Sequence, residues 1–322
     1  MTNNNLQAEF TPPHPLKTAV LFLVFNRLDT TKQVFESIRQ AKPPRLYVAA
    51  DGARESRDGE KEKVEDVRNY VLNNIDWECE VKTLFREENL GCKIAVSSAI
   101  TWFFNNEEMG IILEDDCYPT QSFFWFCEEL LERYKDVENI YLISGDGRAT
   151  SKINIKHDYS FVKYSLIWGW ASWRRVWNQY DVKMPDWDKR KSNMIKNLSI
   201  NKDTKRYWQH ALQNVHDGKI DTWDYQFAYL LFKNYGMCIV PKINFISNVG
   251  FGSDATHTTD SNCKNANIPH FNIAFPLNHP ADITLNDRLE KFYDENEFTQ
   301  KSIMVRAINK LARIIIGKNI IK

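Results

Sequence analysis

Short, continuously apolar runs alternate with helix-period segments through the first half of this chain. Thr18 to Phe25 has the pattern of a strand buried on both faces. Asp29, Thr30 and Thr31 form a helix start, with Val34, Phe35 and Ile38 at helical spacing behind them. Pro43 and Pro44 close that helix, and Leu46 to Ala50 reads as a second strand stopping at Asp51-Gly52. Charged residues from Glu55 to Lys63 open another helix, on which Val64, Val67 and Val71 share one side. Val81 to Phe85 is a third strand, Asn89-Leu90-Gly91 a turn, and Lys93 to Phe104 a helix with Ala95, Ala99 and Trp102 on one side. Ile111-Ile112-Leu113 is a fourth strand. Strands and helices in this alternation predict a mostly parallel α/β sheet.

Beyond Pro119 a helix carries Phe123, Phe126, Cys127, Leu130, Leu131 and Tyr134, and Ile140 to Ser144 is a further strand before Gly145-Asp146-Gly147. The pattern then becomes irregular. Trp168 to Trp173 holds three tryptophans and reads as a loop. A polar helical region covers Asp203 to His216, and Trp223-Asp224 opens a helix that Gly236 stops. Met237 to Val240 is a strand, 244–259 a loop rich in Gly, Asn and Thr, and 260–296 shows little periodicity. The resulting division is a flexible arm (1–16), a first half (17–150), a second half of the same domain (151–298) and a terminal helix (299–322).

Charge narrows the function classes. Lys plus Arg equals Asp plus Glu at 42 each, and a formal net charge of zero argues against a nucleic-acid binder. The six cysteines include no Cys-x-x-Cys pair and fit no zinc spacing, which reads as reduced thiols in a cytosolic protein. The polar start followed by Pro12, Pro13 and Pro15 has no signal-peptide pattern, so a cytoplasmic location is expected. The 10 Trp, 13 Tyr and 19 Phe suit a large aromatic core, and any ring exposed beside a cleft would suit a sugar.

Candidate chemistry gathers at the predicted carboxyl ends of the strands. Glu114, Asp115 and Asp116 follow Leu113 directly, at the edge where open α/β sheets bind ligands. Three adjacent acids repel one another and call for a cation. Oxygen ligands suit Mg²⁺ or Mn²⁺, held by a few carboxylates together with substrate phosphates. The alternative is a solvated strand end. Asn26 and Asp51, at the first two strand ends, could bond a base or ribose, and Arg27 a phosphate; turn chemistry is the other reading. Gly91 permits close approach, and Lys93 opens a helix whose N-terminus favours anions, with Asn89 beside it. Asp224 next to Trp223 is either a general base for a hydroxyl or a helix cap. His257 lies in the Gly250–Thr258 stretch, where a loop could fold over a diphosphate or complete a metal shell.

Taken together, Asp51-Gly52, Glu88-Asn89-Leu90-Gly91-Cys92-Lys93 and Ile111-Ile112-Leu113-Glu114-Asp115-Asp116 resemble GT-A fold glycosyltransferases. The chain is similar in particular to bacterial nucleotide-diphospho-sugar transferases of surface-polysaccharide clusters. The Glu-Asp-Asp form of the Asp-x-Asp motif is also found in the animal N-acetylglucosaminyltransferase that initiates complex N-glycans. The resemblance spans roughly residues 17 to 260 and implies the following roles. Asp116 would hold Mn²⁺ or Mg²⁺ against a nucleoside-diphosphate sugar, with His257 as a second candidate ligand. Glu114 and Asp115 would contact ribose and donor sugar; Asn26, Arg27, Asp51, Asn89 and Lys93 would line the nucleotide pocket. Asp224 would be the base of an inverting hexosyl or N-acetylhexosaminyl transfer, and Trp170 and Trp223 would shape the acceptor side. The acceptor would be a glycan or a lipid-linked sugar.

Two other readings compete. A sugar nucleotidyltransferase uses a similar sheet, but needs a glycine-rich basic loop after the first strand, where this chain has Phe25-Asn26-Arg27-Leu28-Asp29. A glycan-binding protein on the same fold is the other. Finally, Lys301, Arg306, Lys310, Arg313, Lys318 and Lys322 alternate with Ile303, Ala307, Leu311, Ile314 and Ile315 without an acid. That pattern predicts a basic amphipathic helix lying on an anionic membrane surface, here the inner face, or packing back on the domain.

Overall fold

The computed structural model describes residues 10–251 and 267–300. The first half follows the alternation: β1 (Val20–Val24), α1 (Leu28–Ala41), β2 (Arg45–Ala50), α2 (Glu60–Asn73), β3 (Glu80–Phe85), α3 (Gly91–Asn106), β4 (Met109–Glu114). Then come β5 (Cys117–Pro119), α4 (Gln121–Arg133), β6 (Ile140–Ser144), β7 (Tyr159–Val162), β8 (Trp170–Trp173), α5 (Arg174–Trp177), α6 (Trp187–Leu198) and α7 (Lys202–His216). The last elements are α8 (Asp224–Asn234), β9 (Met237–Pro241), β10 (Ile246–Asn248) and α9 (Asp287–Asn296).

Eight strands form one sheet in the order β3-β2-β1-β4-β8-β6-β9-β7, and β5 pairs with β10 in a small second sheet. β1 lies at the centre of the parallel part, with Leu23 level with Ala49 on one side and Glu114 on the other. This register brings the ends of β1, β2 and β4 to one edge. β1 is buried along its whole length, as a central parallel strand covered by helices on both faces must be. α1 and α4 pack against each other, and α3 packs on β1 and β2. The sheet is mixed: β8 runs antiparallel to both β4 and β6, and β7 antiparallel to β9.

Four sequence readings change, the last in part. The tryptophan-rich segment is a strand rather than a loop, because Trp170 and Trp173 are buried against the helices that cover the sheet. Within 244–259, Ile246–Asn248 is the buried strand β10. The weakly periodic 260–296 stretch contains α9, capped by the Asn286 side chain on the N–H groups of Arg288 and Leu289. Within the expected loose arm, residues 11–15 are exposed but its described ends are anchored: Leu16 is buried, the Phe10 ring centroid lies 5.3 Å from that of Trp125, and the Trp125 indole donates to the His14 carbonyl. The five described cysteines are free thiols. Among the described residues no helix is long and apolar enough to cross a membrane. The terminal basic helix, residues 301–322, and most of the glycine-rich loop lie outside the described residues.

Candidate active site

A cleft of about 780 Å³ opens over the carboxyl ends of β1, β2 and β4 and is walled on its far side by Asp221 to Asp224. Its floor is the acid triplet. Leu113 is fully buried, so β4 carries Glu114, half-buried, and Asp115, only 4% exposed, directly out of the core. Burial is the main cause that pushes the Glu114 carboxyl up to about 8, with the charges of Asp116, Asp115 and Asp224 adding to it. The same burial raises Asp115 to about 6, opposed by the charge of Arg27. Arg27, at the β1–α1 junction, donates to Asp115 Oδ1, and its Nη2 lies 3.0 Å from Asp116 Oδ2. Burial alone would lower the Arg27 pKa, but the two acids outweigh it and hold the guanidinium protonated. Asp115 Oδ2 is buried with no hydrogen-bond partner of good geometry.

Asp51 has a structural task as well as a place in the cleft. Its carboxylate accepts from the backbone N–H of Leu90 at 3.0 and 3.1 Å and of Gly91 at 3.1 Å, so it caps α3 from outside that helix. Burial raises its pKa in spite of these bonds. Gly52 is required there: a β-carbon would come within 2.4 Å of the Glu88 carbonyl carbon. Asn89 donates to the Gly52 carbonyl at 2.7 Å and faces the cleft. Gly91 sits at φ 75°, a left-handed conformation suited to glycine, and Asp221 closes in on the position a side chain would take.

Asp224 stands at the first position of α8, and the cap position belongs to Trp223, whose side chain makes no cap bond. The helix-cap reading of Asp224 therefore does not hold. Thr222 donates its hydroxyl to Asp224 Oδ1, leaving Oδ2 without a partner among the described residues. Behind it, Trp223 stacks on Trp170 at 5.7 Å and 21°, and the Tyr180 hydroxyl donates to the Trp223 carbonyl at 3.0 Å.

The structure brings Arg27, Asp51, Asn89, Glu114, Asp115, Asp116, Trp223 and Asp224 to one cleft. Three expected residues are placed differently. Asn26 donates to Glu60 Oε1 at 2.9 Å and does not line the cleft, because Glu60, buried and paired with Arg54, draws it aside. Lys93 is half-buried on α3 and also lies outside the lining. Trp170 is 1% exposed, so it has no face to offer a sugar; its role is to support Trp223. His257 lies outside the described residues.

Sequence reasoning missed Arg54, Arg86 and Asp221, and it named Trp168 only as part of the tryptophan-rich segment; all four line the cleft. Trp168 is the ring that reaches it, braced by the Arg148 guanidinium 3.9 Å above its centroid, while Arg148 is held by Asp146. The three-residue spacing from Asp221 to Asp224, leading into a helix, was the available signal. Among the described residues no three His, Cys, Asp or Glu side chains form a ready metal cage. The donor set fits a divalent ion held another way, by one or two carboxylates and substrate phosphates. The supporting observation is the buried, unpartnered Asp115 Oδ2 beside Asp116.

No family model and no curated protein sequence matches the chain. Among solved structures it is similar to a mannosyltransferase from Pyrobaculum calidifontis in complex with GDP-Man and Mn²⁺, at 12% identity and a TM-score of 0.38, covering 72% of this chain and 73% of that one. It is also similar to GalNAc-T7 with UDP, GalNAc and Mn²⁺, at 11% identity and a TM-score of 0.41, covering 70% and 43%. Mouse xyloside xylosyltransferase 1 is a third, at 10% identity and a TM-score of 0.35, covering 68% and 82%.

Proposed function

We propose that this chain is a metal-dependent, inverting glycosyltransferase that moves a sugar from a nucleoside diphosphate to a hydroxyl of a glycan or lipid-linked acceptor. The observation that carries this reading is the meeting of two kinds of acid across one cleft. A buried triplet ends a parallel strand, and Asp224 faces it with one carboxylate oxygen committed to Thr222 and the other open.

Each residue then has a physical task. Asp51 and Asn89 border the nucleotide end, where Arg86 favours the anionic side of the donor. Asp116 and Asp115 would hold Mn²⁺ or Mg²⁺, which supplies positive charge to the departing diphosphate. Asp224 Oδ2 takes the proton from the acceptor hydroxyl as its oxygen attacks the anomeric carbon. The bond from that carbon to the diphosphate oxygen breaks, the electron pair leaves with the nucleotide, and one displacement inverts the configuration. Trp168 borders the space left for the acceptor, and Trp223, 2% exposed, backs Asp224 from within the core. A role in surface-polysaccharide synthesis follows from the sequence resemblance. Residues 301–322 would bring the enzyme to the inner membrane face if its acceptor is lipid-linked.

Calorimetry against a panel of nucleoside diphosphates, with Mn²⁺ and with chelator, tests the donor site. Wild type binds one of them in a metal-dependent manner. Asp116→Ala abolishes that dependence while the melting temperature stays near wild type, since no apolar group leaves the core. Unchanged metal-dependent affinity in the variant would overturn the assignment.

A further inference from the structure

Two carboxylates and one guanidinium share the floor of the cleft, and their charges do not balance. Arg27 Nη2 bonds Asp115 and Asp116 together; its side chain is 21% exposed, against 6% and 18% for theirs. The backbone at Gly250 lies directly over the pair. A β-carbon built there would stand 2.4 Å from Asp116 Oδ2 and 2.7 Å from Arg27 Nη1. Asp115 Oδ2 is buried without a hydrogen bond of good geometry, and beside Arg27 only the Phe25 backbone N–H favours the charge of this carboxylate.

A divalent ion shared by Asp115 and Asp116 crowds against Arg27, which bonds Asp115 and whose Nη2 lies 3.0 Å from Asp116 Oδ2. Two cations packed on the same acids would repel, and a half-buried guanidinium stripped of both acids is costly unless another anion receives it. The donor's diphosphate is such an anion, and a guanidinium binds phosphate oxygens through two parallel N–H bonds. Resting on the donor-site reading above, we infer that Arg27 is a resident counter-cation of the acid pair. It yields its place to the divalent ion and turns to a phosphate oxygen of the donor. Metal alone then binds weakly, because the exchange leaves Arg27 without an anion. Metal and nucleotide together bind tightly, because each removes the obstacle the other meets. Arg27 thus couples the two sites, and the coupling is reciprocal.

The test is Mn²⁺ binding to the full chain, read from the electron paramagnetic resonance of the free ion, without nucleotide and with UDP or GDP. In wild type the retained nucleotide tightens Mn²⁺ by about thirtyfold or more, within the usual range of coupling between sites. Arg27→Met binds Mn²⁺ alone about tenfold tighter than wild type, and the tightening by nucleotide falls about tenfold, to what the phosphate oxygens themselves give the ion. Should the methionine variant not fold, Arg27→Lys decides: it keeps one charge but loses the two-pronged reach, so Mn²⁺ alone binds about threefold tighter than in wild type. Equal Mn²⁺ affinity without nucleotide in wild type and the folded variant overturns the exchange. Wild type that retains neither nucleotide in the presence of Mn²⁺ overturns the donor-site reading itself, a separate result.

Discussion

Replacing Trp170 separates a buried support from a sugar platform. The indole is 1% exposed and packs on Trp223, Trp177 and Phe227, with ring centroids 5.2 to 6.3 Å away. Truncating a buried Trp to Ala costs about 3–5 kcal/mol through lost transfer energy and the cavity left behind. The Trp170 Nε1 has no hydrogen-bond partner, and removing such a group returns about 1–3 kcal/mol. Trp170→Ala therefore belongs at the low end, near 3 kcal/mol. Trp170→Phe loses part of the ring but also the orphan N–H, and should stay within about 1 kcal/mol of wild type. Urea denaturation measures both, and turnover measured beside it shows whether Asp224 has moved. The alanine variant should lose kcat as well as stability, because Trp223 and the start of α8 lose their backing. A Trp170→Ala protein with a wild-type urea midpoint and only a raised acceptor KM would refute this and restore the platform.

Asp224→Asn should lower kcat by roughly a hundredfold or more, the scale of a lost general base, with donor affinity nearly kept; turnover near wild type, or a product that keeps the donor's anomeric configuration, would count against the mechanism. A pH series in chelator tests the acid triplet. Glu114 at about 8 and Asp115 at about 6 lie above their ordinary 4.5 and 3.8, so the folded chain holds more protons than the unfolded one between those values. Their contribution is fully present at low pH and is lost as pH rises through about 6 and then 8. Glu114→Gln should flatten the fall and gain on the order of 2–3 kcal/mol at pH 7 in the metal-free protein. Urea midpoints that climb with pH across this window would contradict the sign.

The parallel half of the sheet was legible because a strand buried on both faces must be apolar throughout, and β1 and β4 are. The acid triplet was legible for a related reason: charge directly after such a run has to lie at the sheet's edge. What the sequence concealed was set by distant partners. Asn26 reads as a ligand residue until Glu60, on another helix, takes its amide. Asp51 reads as a strand-end acid until α3 brings two N–H groups to it. Trp170 to Trp173 has no strand pattern on one face alone, because both faces of β8 are buried and its neighbours come from β4 and β6. Arg54, Arg86 and Asp221 were isolated charges in polar segments, and only the shape of the cleft gathers them.

The position of β8 has a consequence for any attempt to divide the molecule. It enters the sheet between β4 and β6, although both precede it in sequence. A fragment ending near residue 150 would contain β4 and β6 but not the strand that joins them. β4 would then offer Gly110, Ile111 and Ile112 along an open backbone edge to any passing chain, an invitation to aggregate. The acid triplet is thus secured by a strand that the ribosome delivers some sixty residues later, and the cleft floor closes only after the second half has been made. The residues on the two sides of the cleft are bound into one folding event, and neither half can be borrowed as a free-standing module.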